Sequence, residues 1–206
     1  MKKRRFAGIF VLLALTMMLF AVSAEAATTK QKAMAAYKSF LAKNVIQRNS
    51  RGAVTNSTTA VSKFAIVYFN NDGIPDLLVE NSGYYYEPFI YTYKSGKMVS
   101  IPSEDPGLRK MLTHYFKKKS CLMFRYESNG YPSSVNYSYY SLKSGKLTFQ
   151  LEKRQKSGVT TYYGNDYKQI SKGLFTKRRK AIVGTRSAAK ITWRENSAAN
   201  RKKYCK

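Results

Sequence analysis

The segment SKFAIVYF, residues 62–69, does most to constrain the fold. Phe64, Ile66 and Tyr68 fall on one side of a period-two pattern, and Ala65, Val67 and Phe69 on the other. Both faces are apolar, which makes this a central strand. DLLV, Asp76 to Val79, follows as its partner across a short connection.

More strands follow in hairpin order. EPFIYTYK and KMVSI meet at Ser95-Gly96, and SVNYSYYSLK and KLTFQLEK meet at Ser144-Gly145. CLMFRYES runs into Asn129-Gly130, a two-residue hairpin signal. In KLTFQLEK, Leu147, Phe149 and Leu151 alternate with Thr148, Gln150 and Glu152; VTTYY completes the set. YKSGKM recurs as LKSGKL later in the chain, which reads as repeated turn chemistry. The 17 tyrosines suit hairpin strands whose amphipathic rings line a sheet face.

Helical spacing flanks these strands. Residues 28–43 carry Ala33, Met34, Tyr37, Phe40 and Leu41 on one face, with Thr28 or Thr29 as cap. Asn44 to Ser62 has no sustained period and reads as a polar linker. GLRKMLTHYFKK suggests a short helix from about Leu108 to Lys117. Helical spacing returns from Ile170 to Ile182, KITWRE reads as a short strand, and NSAANRKKYCK as a helix capped by Asn196 or Ser197. The expected fold is α+β: a meandering antiparallel sheet of about seven to nine strands with an N-terminal helix and a C-terminal helical segment. The expected organisation is residues 1–26 as a secretory signal, 27–62 as helix and polar linker, and 63–206 as the β domain with its basic helical end.

The signal rests on Lys2, Lys3, Arg4 and Arg5, the apolar stretch Phe6 to Val22, and the small residues of Ala24-Glu25-Ala26. No cysteine stands directly after the apolar run and no second long apolar run exists. The expectation is a secreted, cell-wall-associated chain with no membrane span after cleavage. Cys121 and Cys205 form an even pair, which permits one disulfide in an oxidising compartment, or two independent thiols.

Thirty-seven basic residues stand against 11 acidic ones, a formal charge of +26. Such a balance attracts polyanions at long range, such as teichoic-acid-like wall polymer or acidic polysaccharide. Export and the lack of a recognition motif argue against a specific nucleic-acid partner. From Lys168 to Lys206 thirteen basic residues meet one acid, Glu195. Lys177, Arg178, Arg179, Lys180, Arg201, Lys202 and Lys203 are the candidate polyanion-binding residues.

FNNDGIPDLLVE, Phe69 to Glu80, fits a calcium loop in part. With Gly73 as the turn glycine, Asn70, Asp72, the Ile74 carbonyl and Asp76 fall at ligand positions, whereas Tyr68 and Val79 stand where acids are required. The competing reading is a turn built on Asn71-Asp72-Gly73 and stiffened by Pro75. YFNNDGIPDLLVE resembles the DxNGDGIPEL element of small exported, mostly uncharacterised bacterial proteins, itself akin to the calcium loops of FG-GAP and dockerin-like repeats. Tyr68 replaces that pattern's first Asp and Asp76 its Glu. The resemblance implies an extracellular α+β domain with a degenerate calcium loop, hence no cofactor or one weakly bound calcium ion. It implies no activity.

No catalytic signature accompanies these features. His114 and Cys121 lack an orienting third group, and no G-x-S-x-G, H-E-x-x-H or phosphate loop occurs. Asp72, Asp76 and Glu80 are the acids weighed for glycoside hydrolysis. The expected function is a secreted, non-catalytic binding module for anionic polymers. The alternatives are a calcium-stabilised structural domain and a secreted hydrolase.

Overall fold

The computed structural model describes residues 28–44, 46–50, 53–81, 88–103, 111–128 and 133–206. The expected signal, residues 1–26, lies outside them. Helix α1 is seen over residues 28–43. Strands β1 (Ile46–Ser50) and β2 (Ala53–Thr59) pair as an antiparallel hairpin. The segment read as an unstructured linker is therefore paired strand, favoured by the β-branched Thr and Val of AVTNSTT.

β3 (Val61–Val67), β4 (Asp76–Asn81), β5 (Pro88–Lys94) and β6 (Lys97–Ser100) then meander. β7 (Met111–Phe116), β8 (Cys121–Ser128), β9 (Ser134–Lys143), β10 (Lys146–Lys156), β11 (Val159–Tyr163) and β12 (Gln169–Ile170) form a second meander. After α2 (Lys172–Val183) come β13 (Ala189–Lys190), β14 (Arg194–Glu195) and α3 (Ala198–Tyr204). The α+β class, the antiparallel meander and the helical segments at both ends agree with the sequence reading.

Apart from the β1–β2 hairpin, the strands divide into two sheets. Their orders are β14-β3-β4-β5-β6 and β12-β11-β10-β9-β8-β7-β13. Ala65, Val67 and Leu78 of the five-stranded sheet, with Phe69 just after β3, share one buried cluster with Leu112, Leu122, Phe124, Tyr140 and Phe149 of the seven-stranded sheet. The opposite face of the first sheet, with Phe64, Leu77 and Val79, is covered by Ala33, Met34, Tyr37 and Leu41 of α1. The opposite face of the second, with Cys121, Met123, Tyr139 and Leu151, is covered by Phe175 and Val183 of α2. Each sheet thus lies between the other sheet and a helix. That burial on both faces is why β3 and β4 carry no polar face.

Two bulges explain departures from simple alternation. Between Phe149 and Leu151 the β10 register shifts, so Leu147 and Phe149 face the inter-sheet core while Leu151 faces α2. A second shift between Leu112 and His114 sends Leu112 to the core and Phe116 beneath α2. The i, i+4 spacing of these two residues imitates a helix. The structure corrects that expectation: Met111 to Phe116 is strand, because pairing with β8 satisfies its backbone on a buried sheet.

KITWRE also departs from a single strand. Its first residue belongs to β13, which pairs with β7, and its last two form β14, which pairs with β3. Residues 189–195 therefore strap one edge of the sandwich, with Ile191 buried between the sheets and the Trp193 indole N–H donating to the Leu112 carbonyl at 3.3 Å. Ser197, with β-region backbone, caps α3 and accepts from the Asn200 amide. The Asn196 side-chain amide donates to the Leu41 carbonyl, Asn44 Oδ1 and the Val61 carbonyl, tying strap, α1 and β3 together.

Turn chemistry accounts for the internal repeat. Ser95-Gly96 and Ser144-Gly145 both have two consecutive positive φ angles, and Ser157-Gly158 repeats the pattern. These are the values a type I′ hairpin turn requires. The Asn129-Gly130 turn lies outside the described residues.

Candidate functional site

The Asn70–Asp76 loop is fixed at both ends. At its entry the Tyr68 and Phe69 carbonyls accept from the amides of Lys118 and Ser120, at 3.1 and 2.7 Å. At its exit Asp76 opens β4, and the Pro75 carbonyl accepts from the buried Tyr37 hydroxyl at 2.8 Å. Gly73 takes φ +77°, which explains a glycine at the turn. Asp72 Oδ1 accepts from the Ile74 amide at 2.8 Å, and Asn70 Oδ1 from the Asp72 amide at 3.3 Å.

Three of the four candidate metal residues converge. Asn70 Nδ2 donates to Asp72 Oδ2 at 2.9 Å and to Asp76 Oδ1 at 3.1 Å. Asp76, fully buried, also accepts from the Phe69 amide at 3.3 Å. The fourth residue, Ile74, enters this network through its amide N–H. A hard dication takes oxygen ligands. Asn70 would supply one only after its amide rotates, which would cost the hydrogen bond it accepts from Asp72. Among the described residues no group of three or more His, Cys, Asp or Glu is disposed to hold a metal.

Burial pushes the Asp76 carboxyl up to about 7, reinforced by the Asp72 charge and opposed by the Phe69 and Asn70 amides. The buried Thr92 hydroxyl nearby opposes the rise as well. Glu80 is likewise raised by burial, with Lys63 opposing. Asp76 and Glu80 sit four residues apart on β4, about 13 Å along the strand. That exceeds the roughly 5–9.5 Å that glycosidase carboxylate pairs span.

The other residues singled out from the sequence are dispersed. Both cysteines are free and buried. Cys121 lies under α2, whereas Cys205 lies beside α1. Both sheets stand between them, which corrects the Cys121–Cys205 bridge weighed from the sequence. Burial raises the Cys121 thiol to about 12, and its Sγ faces the Leu122 carbonyl at 3.7 Å. The His114 ring contacts the Thr113 hydroxyl at 2.9 Å; burial lowers its pKa, and Lys190 lowers it further.

The seven candidate cations form two groups. Lys177, Arg178, Arg179 and Lys180 lie on α2, outside the seven-stranded sheet; Arg201, Lys202 and Lys203 lie on α3, beside the five-stranded one. Lys172, Lys177 and Lys180 are exposed. Arg179 lies 5.7 Å over the Phe116 ring, and Gly164 leaves room for the Arg178 guanidinium. Arg201 donates to the Asn196 carbonyl and Oδ1, a structural use its charge did not reveal. No α2 cation makes an ion pair with a described acid, and the first turn of α2 contains none. Sequence reasoning did not single out Lys190, Thr192 and Arg194, although their alternation within KITWRE was the available signal. They line a cleft beneath the strap.

Comparison with family models, curated proteins and solved structures finds no match to this chain. Among the described residues no helix is long and apolar enough to cross a membrane.

Proposed function

We propose that this protein is a secreted, non-catalytic module that holds to anionic polymers at the cell surface through exposed lysine and arginine. The observation that carries this reading is the outer face of α2. Phe175 and Val183 anchor the helix, while Lys172, Lys177 and Lys180 are exposed on it and form no ion pair with a described acid. Across the chain basic residues outnumber acidic ones 37 to 11, so the surrounding field reinforces this patch. A flexible polymer of repeated negative charge, such as teichoic-acid-like wall polymer or acidic polysaccharide, suits a convex row of cations. The test is retention of the full chain on immobilised wall polymer at low salt. Release as salt rises supports the reading; retention undiminished at high salt contradicts it.

The convergence of Asn70, Asp72 and Asp76 favours a second reading, a calcium-stabilised domain, in keeping with the resemblance of this loop to calcium loops. Calcium binding would require rotation of the Asn70 amide and release of the Asp76 proton, so affinity would increase with pH. Added calcium would raise the melting temperature, and Asp72→Ala would abolish the rise. A melting curve indifferent to calcium at pH 8 removes this reading.

A further inference from the structure

The strap that joins the two sheets presents a second cationic site, an open cleft. Residues 190–194 alternate in facing. Ile191 and Trp193 turn toward the inter-sheet core, while Lys190, Thr192 and Arg194 line a cleft of about 180 Å³. Ile66, Val67, Tyr115 and Tyr204 complete its wall. The cleft exists because β14 pairs with β3 only at Lys63 and Phe64, so that at Ile66 and Val67 β3 is paired on its β4 side but not on its β14 side. From there the chain diverges toward β7.

The two cations are differently prepared. The Arg194 guanidinium carbon lies 3.5 Å from the centroid of the Tyr204 ring, a stacked position that fixes the plane of the fork. Lys190 is exposed at the opposite end of the row. Neither pairs with a described carboxylate. Glu195, the nearest acid in sequence, reaches Lys63 at 3.8 Å instead. A planar fork, an ammonium on a long side chain that can reach along the cleft and the Thr192 hydroxyl together suit a tetrahedral oxyanion carrying more than one negative oxygen. A cleft of this volume leaves space for a short carbon chain attached to that oxyanion.

We propose that this cleft binds one phosphate group carried on a small polyol or sugar, with Arg194 and Lys190 as its charged ligands and Thr192 as a hydroxyl donor. The site deepens the reading of the protein as an anion binder and rests on it, but it uses residues separate from α2. It would select the phosphate chemistry of a wall polymer, where α2 responds to charge density alone.

Calorimetric titration of the full chain with glycerol 3-phosphate, inorganic phosphate and glucuronate tests this. Glycerol 3-phosphate should bind at least as tightly as inorganic phosphate and about tenfold more tightly than glucuronate. Lys190→Gln and Arg194→Gln should each weaken it about tenfold or more. Lys190 is exposed, so its variant should fold normally, and Thr192→Val provides a second probe that leaves the Arg194 stack in place. Substituting Lys172, Lys177 and Lys180 by Gln should leave this binding unchanged while polymer retention falls, so failure of either site shows separately. Equal binding to wild type and to the Lys190→Gln and Thr192→Val variants would overturn the site, as would no measurable binding. Equal affinity for glucuronate and glycerol 3-phosphate would overturn the phosphate assignment.

Discussion

α2 and the strap cleft are both basic, yet they differ in almost every physical respect. α2 carries its lysines on an open helix face, where solvent screens each of them and none pairs with a described acid. The cleft holds fewer cations, but one is stacked on an aromatic ring and both line a single concave pocket. Open charge gives attraction that scales with the number of ions and discriminates little. Charge that lines a cleft gives a site whose shape and donor geometry can select. A net charge alone could not have distinguished these two cases.

The comparison can be broken most severely at the anchor of α2. Phe175 packs on Tyr162 and Tyr139, with ring centroids 4.8 and 6.0 Å away. Phe175→Ala should cost about 3–5 kcal/mol in denaturant unfolding and release the helix. Polymer retention should drop with it, whereas glycerol 3-phosphate binding should persist wherever the domain remains folded. Removing charge without disturbing packing is gentler. The triple substitution of Lys172, Lys177 and Lys180 by Gln should weaken polymer binding about a hundredfold at low salt, at about 1 kcal/mol per cation, with stability nearly unchanged.

Much of this arrangement was legible in the sequence. The two-sided apolar pattern of SKFAIVYF marked β3 as central because alternation survives wherever a strand is regular. The Ser-Gly turns were legible because their positive φ angles demand particular residues. What remained hidden depends on long-range geometry. A bulge can reverse the facing of Leu151 or Phe116 without a sequence mark, and a partner strand can override the helical spacing of Leu112 and Phe116. The separation of Cys121 from Cys205, and of the α2 cations from those of α3, follows from layer order, which no local pattern encodes. The convergence at Asp76 was visible as spacing, but the use of the Asn70 amide to close it was not.

The Asp76 loop belongs to neither cationic surface and so sharpens the comparison from outside. Its carboxyl, raised by burial from the ordinary 3.8 to about 7, keeps a proton in the folded state that the unfolded chain has lost. That stabilisation is complete below about pH 4, declines as pH rises toward 7 and is gone above it, with a slope of up to about 1.4 kcal/mol per pH unit. Asp76→Asn should flatten this part of the stability–pH curve and leave both binding activities intact. Loss of polymer retention in that variant would show that the loop and the surfaces are not independent. The smallest effect is expected at Gly145, whose φ of +80° disfavours a side chain although nothing lies within 4 Å of an added Cβ. Gly145→Ala should cost about 1 kcal/mol by thermal melting and change neither binding activity.

The central claim is that exposed cations on α2 hold the protein to anionic polymer by displacing counterions. It is tested most directly by measuring the affinity for poly(glycerol phosphate) across a series of salt concentrations, in the wild type and in the Lys172, Lys177 and Lys180 triple variant. The account predicts a straight, falling line of log affinity against log salt, shallower in the variant by about one unit for each lysine in contact. An affinity independent of salt, or one slope shared by both proteins, would contradict it.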